Sequence, residues 1–159
     1  MKYDHLIGIQ FDIEKSNCYQ LLRKFYRDNY SIELSDYACP TSWWEHEMDL
    51  FAALADDEGF EIITSHPNHW KPGDVIIMAI NSSRGNHCAV LLDNGKILHH
   101  LYGCLSTVTP YGGTFRNTTV GVYRHKLVPK ELAESTVDIR ELLPLHVRRR
   151  IENQTSTGS

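Results

Sequence analysis

Asn86-His87-Cys88-Ala89-Val90-Leu91-Leu92-Asp93-Asn94-Gly95-Lys96-Ile97-Leu98-His99-His100-Leu101 is the stretch on which the reading of this chain turns. Two runs rich in strand-forming residues flank Asp-Asn-Gly, residue types that tolerate the left-handed backbone of tight hairpins. The stretch predicts two antiparallel strands, with one histidine opening the first and two adjacent histidines near the end of the second. A histidine that opens an otherwise apolar strand can point into a cleft at the end of the sheet. Side chains alternate across a strand, so the loop length decides which of His99 and His100 shares a face with His87. A two-residue Asn94-Gly95 loop pairs Asp93 with Lys96 and brings His100 to that face. A three-residue Asp93-Asn94-Gly95 loop pairs Leu92 with Lys96 and brings His99 there instead. Spacing alone leaves both open.

Outward from the hairpin, Val75-Ile76-Ile77-Met78-Ala79-Ile80 follows the turn Pro72-Gly73-Asp74, and Val120-Gly121-Val122-Tyr123-Arg124 lies downstream. Both are short runs of β character, and with the hairpin they predict an antiparallel meander of about four strands. Upstream, Ser16-Asn17 precedes apolar or aromatic side chains at 18, 21, 22, 25 and 26, the spacing of an amphipathic helix with a capping residue before it. Cys18 therefore sits in the first turn of a helix. Residues 31–70 read as a connection that carries the pair Trp43-Trp44 and a helix over 45–57 stopped by Gly59. After His125 the composition shifts, and 129–134 and 137–151 read as helices before a polar tail. The expected organisation is an α+β domain over 1–125 and a helical extension over 126–159, whose leucines either pack on the sheet or dock onto a partner.

A chain of 159 residues buries one core, and 42% hydrophobic with 23% charged residues is the balance of a folded globular protein. The net charge of -4, without a basic block, argues against nucleic acid as a partner, since phosphate binding needs concentrated positive charge. Arg148-Arg149-Arg150 is the one basic run and reads as the solvated last turn of a helix. The short apolar stretch Leu6-Ile7-Gly8-Ile9 is no signal peptide, and no run of 18 apolar residues predicts membrane insertion. Synthesis and first use in a cytosol are expected. There the four cysteines, Cys18, Cys39, Cys88 and Cys104, stay thiols.

A thiol is a weak nucleophile until ionised. Cys18 has two devices that favour its anion: the amides of a helix N-terminus, and a histidine delivered by the sheet. The same amides can hold the oxyanion of an acyl intermediate. His87, which opens its strand, is the histidine that can partner the Cys18 anion. A metal site built from His87, Cys88, His99 and His100 fails, because neighbours on a strand face opposite ways, and no CxxC or HExxH spacing is present. No cofactor is expected. His5, His46, His66, His69, His125 and His146 have no partner by spacing and read as surface or interface residues.

The pattern resembles the NlpC family of papain-like cysteine peptidases, in which a Cys opens a helix, PGD leads into a strand, and a His is followed 12 residues later by the third member of the triad. Cys18, Pro72-Gly73-Asp74, His87 and His99 stand at those places. The likeness is greatest to a branch found in lambda-type phage tail assembly, through Asn17-Cys18-Tyr19-Gln20-Leu21-Leu22-Arg23, Asn86 to Val90, Ile97 to Leu101 and Tyr111-Gly112-Gly113; it covers about residues 5–125. The resemblance implies a papain-like α+β fold with an antiparallel sheet of about four to six strands packed on the helix that carries the cysteine. It implies a Cys18–His87–His99 triad hydrolysing amide bonds, with a peptidoglycan stem peptide or a tail protein as substrate. It also implies other phage tail-tip proteins as partners, reached through 126–159, with residence in the host cytoplasm during assembly and then in the virion tail tip. Two departures stand out: Asn17-Cys18-Tyr19 replaces the Asp-Cys-Ser or Asp-Cys-Trp of many members, and Phe11-Asp12-Ile13-Glu14 replaces Tyr-Arg-Trp/His-Gly, which removes a tyrosine hydroxyl near the cysteine. The alternative function is a structural tail-tip subunit that keeps the fold without turnover.

Overall fold

The computed structural model of the chain describes residues 1–37 and 49–129. Cys39, Trp43, Trp44 and His46, the start of the helix expected over 45–57, and the helices expected after 129 lie outside them. Asn17 sets the first helix in place. Its backbone is extended, its side-chain oxygen accepts from the Gln20 amide at 2.9 Å, and α1 (Cys18–Tyr30) follows at once. Leu21, Leu22, Phe25 and Tyr26 form the buried stripe of α1, and the helix ends at Ser31 in the left-handed region, with φ 56°.

The stripe packs on an antiparallel sheet of six strands: β1 (Phe60–Ile62), β2 (Val75–Met78), β3 (His87–Leu91), β4 (Lys96–His99), β5 (Thr107–Pro110) and β6 (Thr119–His125). The spatial order is β1-β6-β2-β3-β4-β5, so the last strand returns to lie beside β2. The two strands beyond the expected meander are the edges, β1 and β5. Both are short, and β5 ends in a proline, which an edge strand tolerates.

Alternation gives the sheet two buried faces. Val75, Ile77, Cys88, Val90 and Leu98 face α1, joined by Phe51 and Ala55 of the short helix α2 (Leu50–Ala55). Ile76, Met78, Ala89, Leu91, Ile97 and Val122 face the other way, under Trp70, Tyr111 and Phe115 of α3 (Gly113–Asn117). Residues Met1–Val128 form one compact unit.

The hairpin takes the three-residue loop. The Leu92 amide donates to the Lys96 carbonyl at 2.8 Å, Ala89 stands opposite His99, and Asn94 and Gly95 both have positive φ, 63° and 66°. His99 therefore shares a face with His87.

Pro72-Gly73-Asp74 has a physical explanation in the core. Gly73 has φ 93°, and its carbonyl accepts from the Tyr26 hydroxyl at 2.5 Å. A Cβ on Gly73 would stand 2.2 Å from the Tyr30 hydroxyl oxygen. Asp74, 1% exposed, receives both arms of Arg124 at 2.7 Å and the Lys71 amide at 2.7 Å, which ties β2 to β6. A buried carboxylate with paired, bidentate partners is the condition under which such burial is tolerated. His125 corrects the surface reading. It is 6% exposed, edge-on to Phe60 with ring centroids 5.0 Å apart, because it ends β6 beside β1.

The Tyr30 hydroxyl is buried without a hydrogen-bond partner among the described residues. Tyr30→Phe is therefore expected to change stability by less than about 0.5 kcal/mol, whereas Gly73→Ala is expected to cost about 2 kcal/mol or more through strain and the clash. In urea unfolding, the loss caused by Gly73→Ala should shrink when Tyr30→Phe is already present, because the two changes share one contact.

Candidate active site

Asn86 fixes where β3 begins. Its side chain donates to the Ile80 carbonyl and accepts from the Ile80 amide, each at 2.8 Å, and its own amide donates to the Met78 carbonyl at 2.9 Å. The loop after β2 is thereby closed on itself, and His87 follows as the first residue of β3, 5% exposed. Alternation sends Cys88 to the α1 face and His87 to the opposite one. Because His87 is at the strand's end, its ring also reaches the Cys18 sulfur.

Cys18 is half-buried at the start of α1. Its thiol is held well below the ordinary thiol range. The largest influence is a hydrogen bond with the Cys88 thiol; burial opposes it, and the hydrogen bond and positive charge of His87 add to the depression. Burial and the neighbouring Cys18 anion push the Cys88 thiol well above its usual value, so Cys88 remains a donor. Asn17 takes the Gln20 amide, and the amides of Cys18 and Tyr19 carry no hydrogen bond among the described residues. They are the orphan donors of the helix N-terminus, beside the Cys18 side chain.

His99 is 1% exposed and stands edge-on to His87, with ring centroids 5.6 Å apart and planes at 79°. Its Nε2 lies 3.0 Å from the Thr109 hydroxyl, and Phe115 covers it with centroids 4.8 Å apart. Burial, then the charges of His87 and His100, lower its pKa to about 4, so it is neutral at physiological pH. The structure thus brings together Cys18, His87 and His99, the three residues expected from the sequence, with His87 between the other two.

Two residues left out of the expected triad also stand at the site. Cys88 is one; strict alternation beside a strand-opening histidine was the signal for it. His100 is the other: it lines the same cavity as Cys18, its Nε2 lies 3.1 Å from the Cys104 carbonyl, and Phe11 meets it edge-on at 5.4 Å. The segment carrying Phe11 is anchored by Ser106, whose hydroxyl donates to the Leu6 carbonyl at 2.7 Å and accepts from the Ile9 amide at 2.8 Å.

Cys18 and His87 open on a cavity of about 440 Å³ with mainly apolar walls, among them Leu22, Phe51, Ile80 and Tyr123. Glu58 stands in the wall. Burial opposes its charge, but the Tyr37 hydroxyl at 2.5 Å and the Ser35 amide at 2.9 Å hold its carboxyl below the ordinary range. Among the described residues, no three His, Cys, Asp or Glu side chains are placed to hold one metal ion. No helix among the described residues is long and apolar enough to cross a membrane.

Residues 8–124 match the sequence profile of the NlpC/P60 family. Tail tip assembly protein K of Escherichia phage N15 is 33% identical over 123 residues, which covers 76% of this chain and 49% of that protein. Tail tip assembly protein K of Escherichia phage lambda is 29% identical over 123 residues, covering 77% of this chain and 60% of that protein. The chain thus spans only about half of the first relative and three fifths of the second. With a cysteine opening a helix packed on an antiparallel sheet, and a match across most of its length, the chain belongs to the NlpC/P60 family.

Proposed function

We propose that the chain is a cysteine peptidase of a phage tail tip that hydrolyses an amide bond in bacterial cell-wall peptides. The observation that carries this reading is the Cys18 sulfur at a helix N-terminus, beside His87 and open to a cavity. Cys18 attacks the scissile carbonyl carbon as a thiolate, and the carbonyl π electrons become an oxyanion that faces the amides of Cys18 and Tyr19. The His87 imidazolium donates its proton to the leaving nitrogen, the C–N bond breaks, and a thioester remains. Water gives a proton to His87 and attacks the thioester, and Cys18 leaves as the thiolate. His99 stays neutral and orients His87. The family resemblance points to a stem peptide cut between γ-D-glutamate and the diamino acid, with a protein of the tail as the second substrate class. The names of the two phage relatives support an association with a phage tail; we extend this to residence in the host cytoplasm during assembly and then in the virion tail tip, and 126–159 is assigned to docking on neighbouring tail proteins.

A structural subunit without turnover is the second reading, favoured by Phe11, which puts a ring without a hydroxyl against His100 in the cavity. Alkylation separates the two. Iodoacetamide should modify Cys18 with a pH inflection below the ordinary thiol range, since the thiolate exists at every pH above its lowered pKa. His87→Ala and Cys88→Val should each move that inflection upward, as each removes a group that favours the anion. An ordinary thiol profile in the unaltered protein would sink the peptidase.

On stem peptides, mass spectrometry should detect a new amino terminus on the diamino acid, and Cys18→Ala should lower kcat/KM by about 1,000-fold or more. A chain ending at Val128 is expected to keep the Cys18 alkylation profile and to be missing from purified tails; its normal incorporation would remove the docking role from the extension.

A further inference from the structure

Two buried ring nitrogens at the site have no hydrogen-bond partner among the described residues: His87 Nε2 and His99 Nδ1. They belong to adjacent rings, 5.6 Å apart between centroids and nearly perpendicular. The triad reading makes a demand on them. When His87 holds the proton that Cys18 has given up, it carries N–H groups on both nitrogens. One faces the sulfur, and the other needs an acceptor in a place closed to water. A neutral His99 supplies that acceptor through Nδ1 only as the tautomer whose proton is on Nε2. That proton in turn needs an acceptor, and Thr109 Oγ1 lies 3.0 Å away.

The sheet register explains why a threonine stands there. Ile97 pairs with Thr109 and His99 with Thr107, so Thr109 is the diagonal neighbour of His99 on the same face. On the other side Ala89 pairs with His99, which makes His87 the diagonal neighbour across β3. Thr109, His99 and His87 form one row over three adjacent strands. Phe115 covers His99 against its own edge, so the hydroxyl is the hydrogen-bond partner of Nε2 among the described residues.

We propose that Thr109 is a positioning residue of this site: by accepting a hydrogen bond from His99 Nε2, it keeps His99 in the tautomer whose bare Nδ1 receives the Nε2–H of protonated His87. The proposal rests on the Cys18–His87 pair proposed above. The titratable groups around the row and the pair are Cys18 from α1, Cys88 on β3, His100 beside β4, and Tyr111 beyond β5, whose hydroxyl is 2.8 Å from that of Thr119 at the start of β6.

Long-range proton–nitrogen NMR on the unaltered protein near neutral pH reads the tautomer directly. His99 is expected to show a protonated Nε2 and an unprotonated Nδ1; the reverse pattern overturns the proposal. The second measurement is the pH profile of Cys18 alkylation in Thr109→Val, which keeps the shape and removes the acceptor, and in Thr109→Ser, which restores it. Valine should move the inflection part of the way toward that of His87→Ala, and serine should return it to that of the unaltered protein. A valine profile that superimposes on the unaltered one, while His87→Ala still shifts, overturns the role of Thr109 and leaves the Cys18–His87 pair standing. If His87→Ala causes no shift, the pair itself fails and the positioning role goes with it.

Discussion

The loop Asp93-Asn94-Gly95 places three residues between Leu92 and Lys96, and that count determines the composition of the site. With Asn94 and Gly95 both left-handed, Ala89 stands opposite His99 and Ile97 opposite Thr109. A slip of one residue in β4 would turn His99 toward α1 and put His100 beside His87. The hydrophobic pattern resists the slip, because Leu98 would lose its place on the α1 face and Ile97 its place on the other. Both Leu98 and Ile97 are fully buried, so reversing them in a packed two-faced sheet is not a small adjustment.

The same alternation explains why the site tolerates so many polar groups. His87, His99, His100 and Cys88 are each nearly sealed from solvent, an arrangement that ordinarily costs several kcal/mol when charge is present. At this site the group whose charged form is favoured is Cys18, lowered by the hydrogen bond with Cys88 and by His87 at the end of a strand beside the cavity. His99 and His100 are both held below the ordinary imidazole range by burial, and Cys88 is held above the ordinary thiol range. Burial thus disfavours the charged forms of His99, His100 and Cys88, while Cys18 beside them is favoured as the thiolate.

Much of this was legible in the residues. The N-cap at Asn17, the cysteine in the first turn of α1 and the strand-opening His87 follow from local pattern, and the structure reproduces each. Strand geometry alone left His99 and His100 open, because Asp-Asn-Gly suits either loop length; the family's 12-residue spacing pointed to His99, and the packing of both faces is the physical reason for that register. The edge strands β1 and β5 escaped because three or four residues, one of them proline, carry too little periodicity. His125 escaped for a different reason: its burial depends on β6 lying beside β1, a pairing that no local signal encodes. Cys88 was read only as a candidate metal ligand, although the alternation that excluded the metal also placed its thiol toward α1.

What the strand end adds is access to both faces at once. Cys18, Cys88, His100 and the cavity lie on the side of α1. His99, Thr109 and Phe115 lie on the other side, sealed under α3. A histidine in the middle of β3 would face one of these and be screened from the other by the sheet itself. At the first residue of the strand, with Asn86 closing the loop behind it, His87 stands beside Cys18 on one side and beside the buried His99 ring on the other. The cavity and the row of Thr109 and the buried His99 thereby lie on opposite faces of one sheet, with His87 at the strand end where the two faces meet.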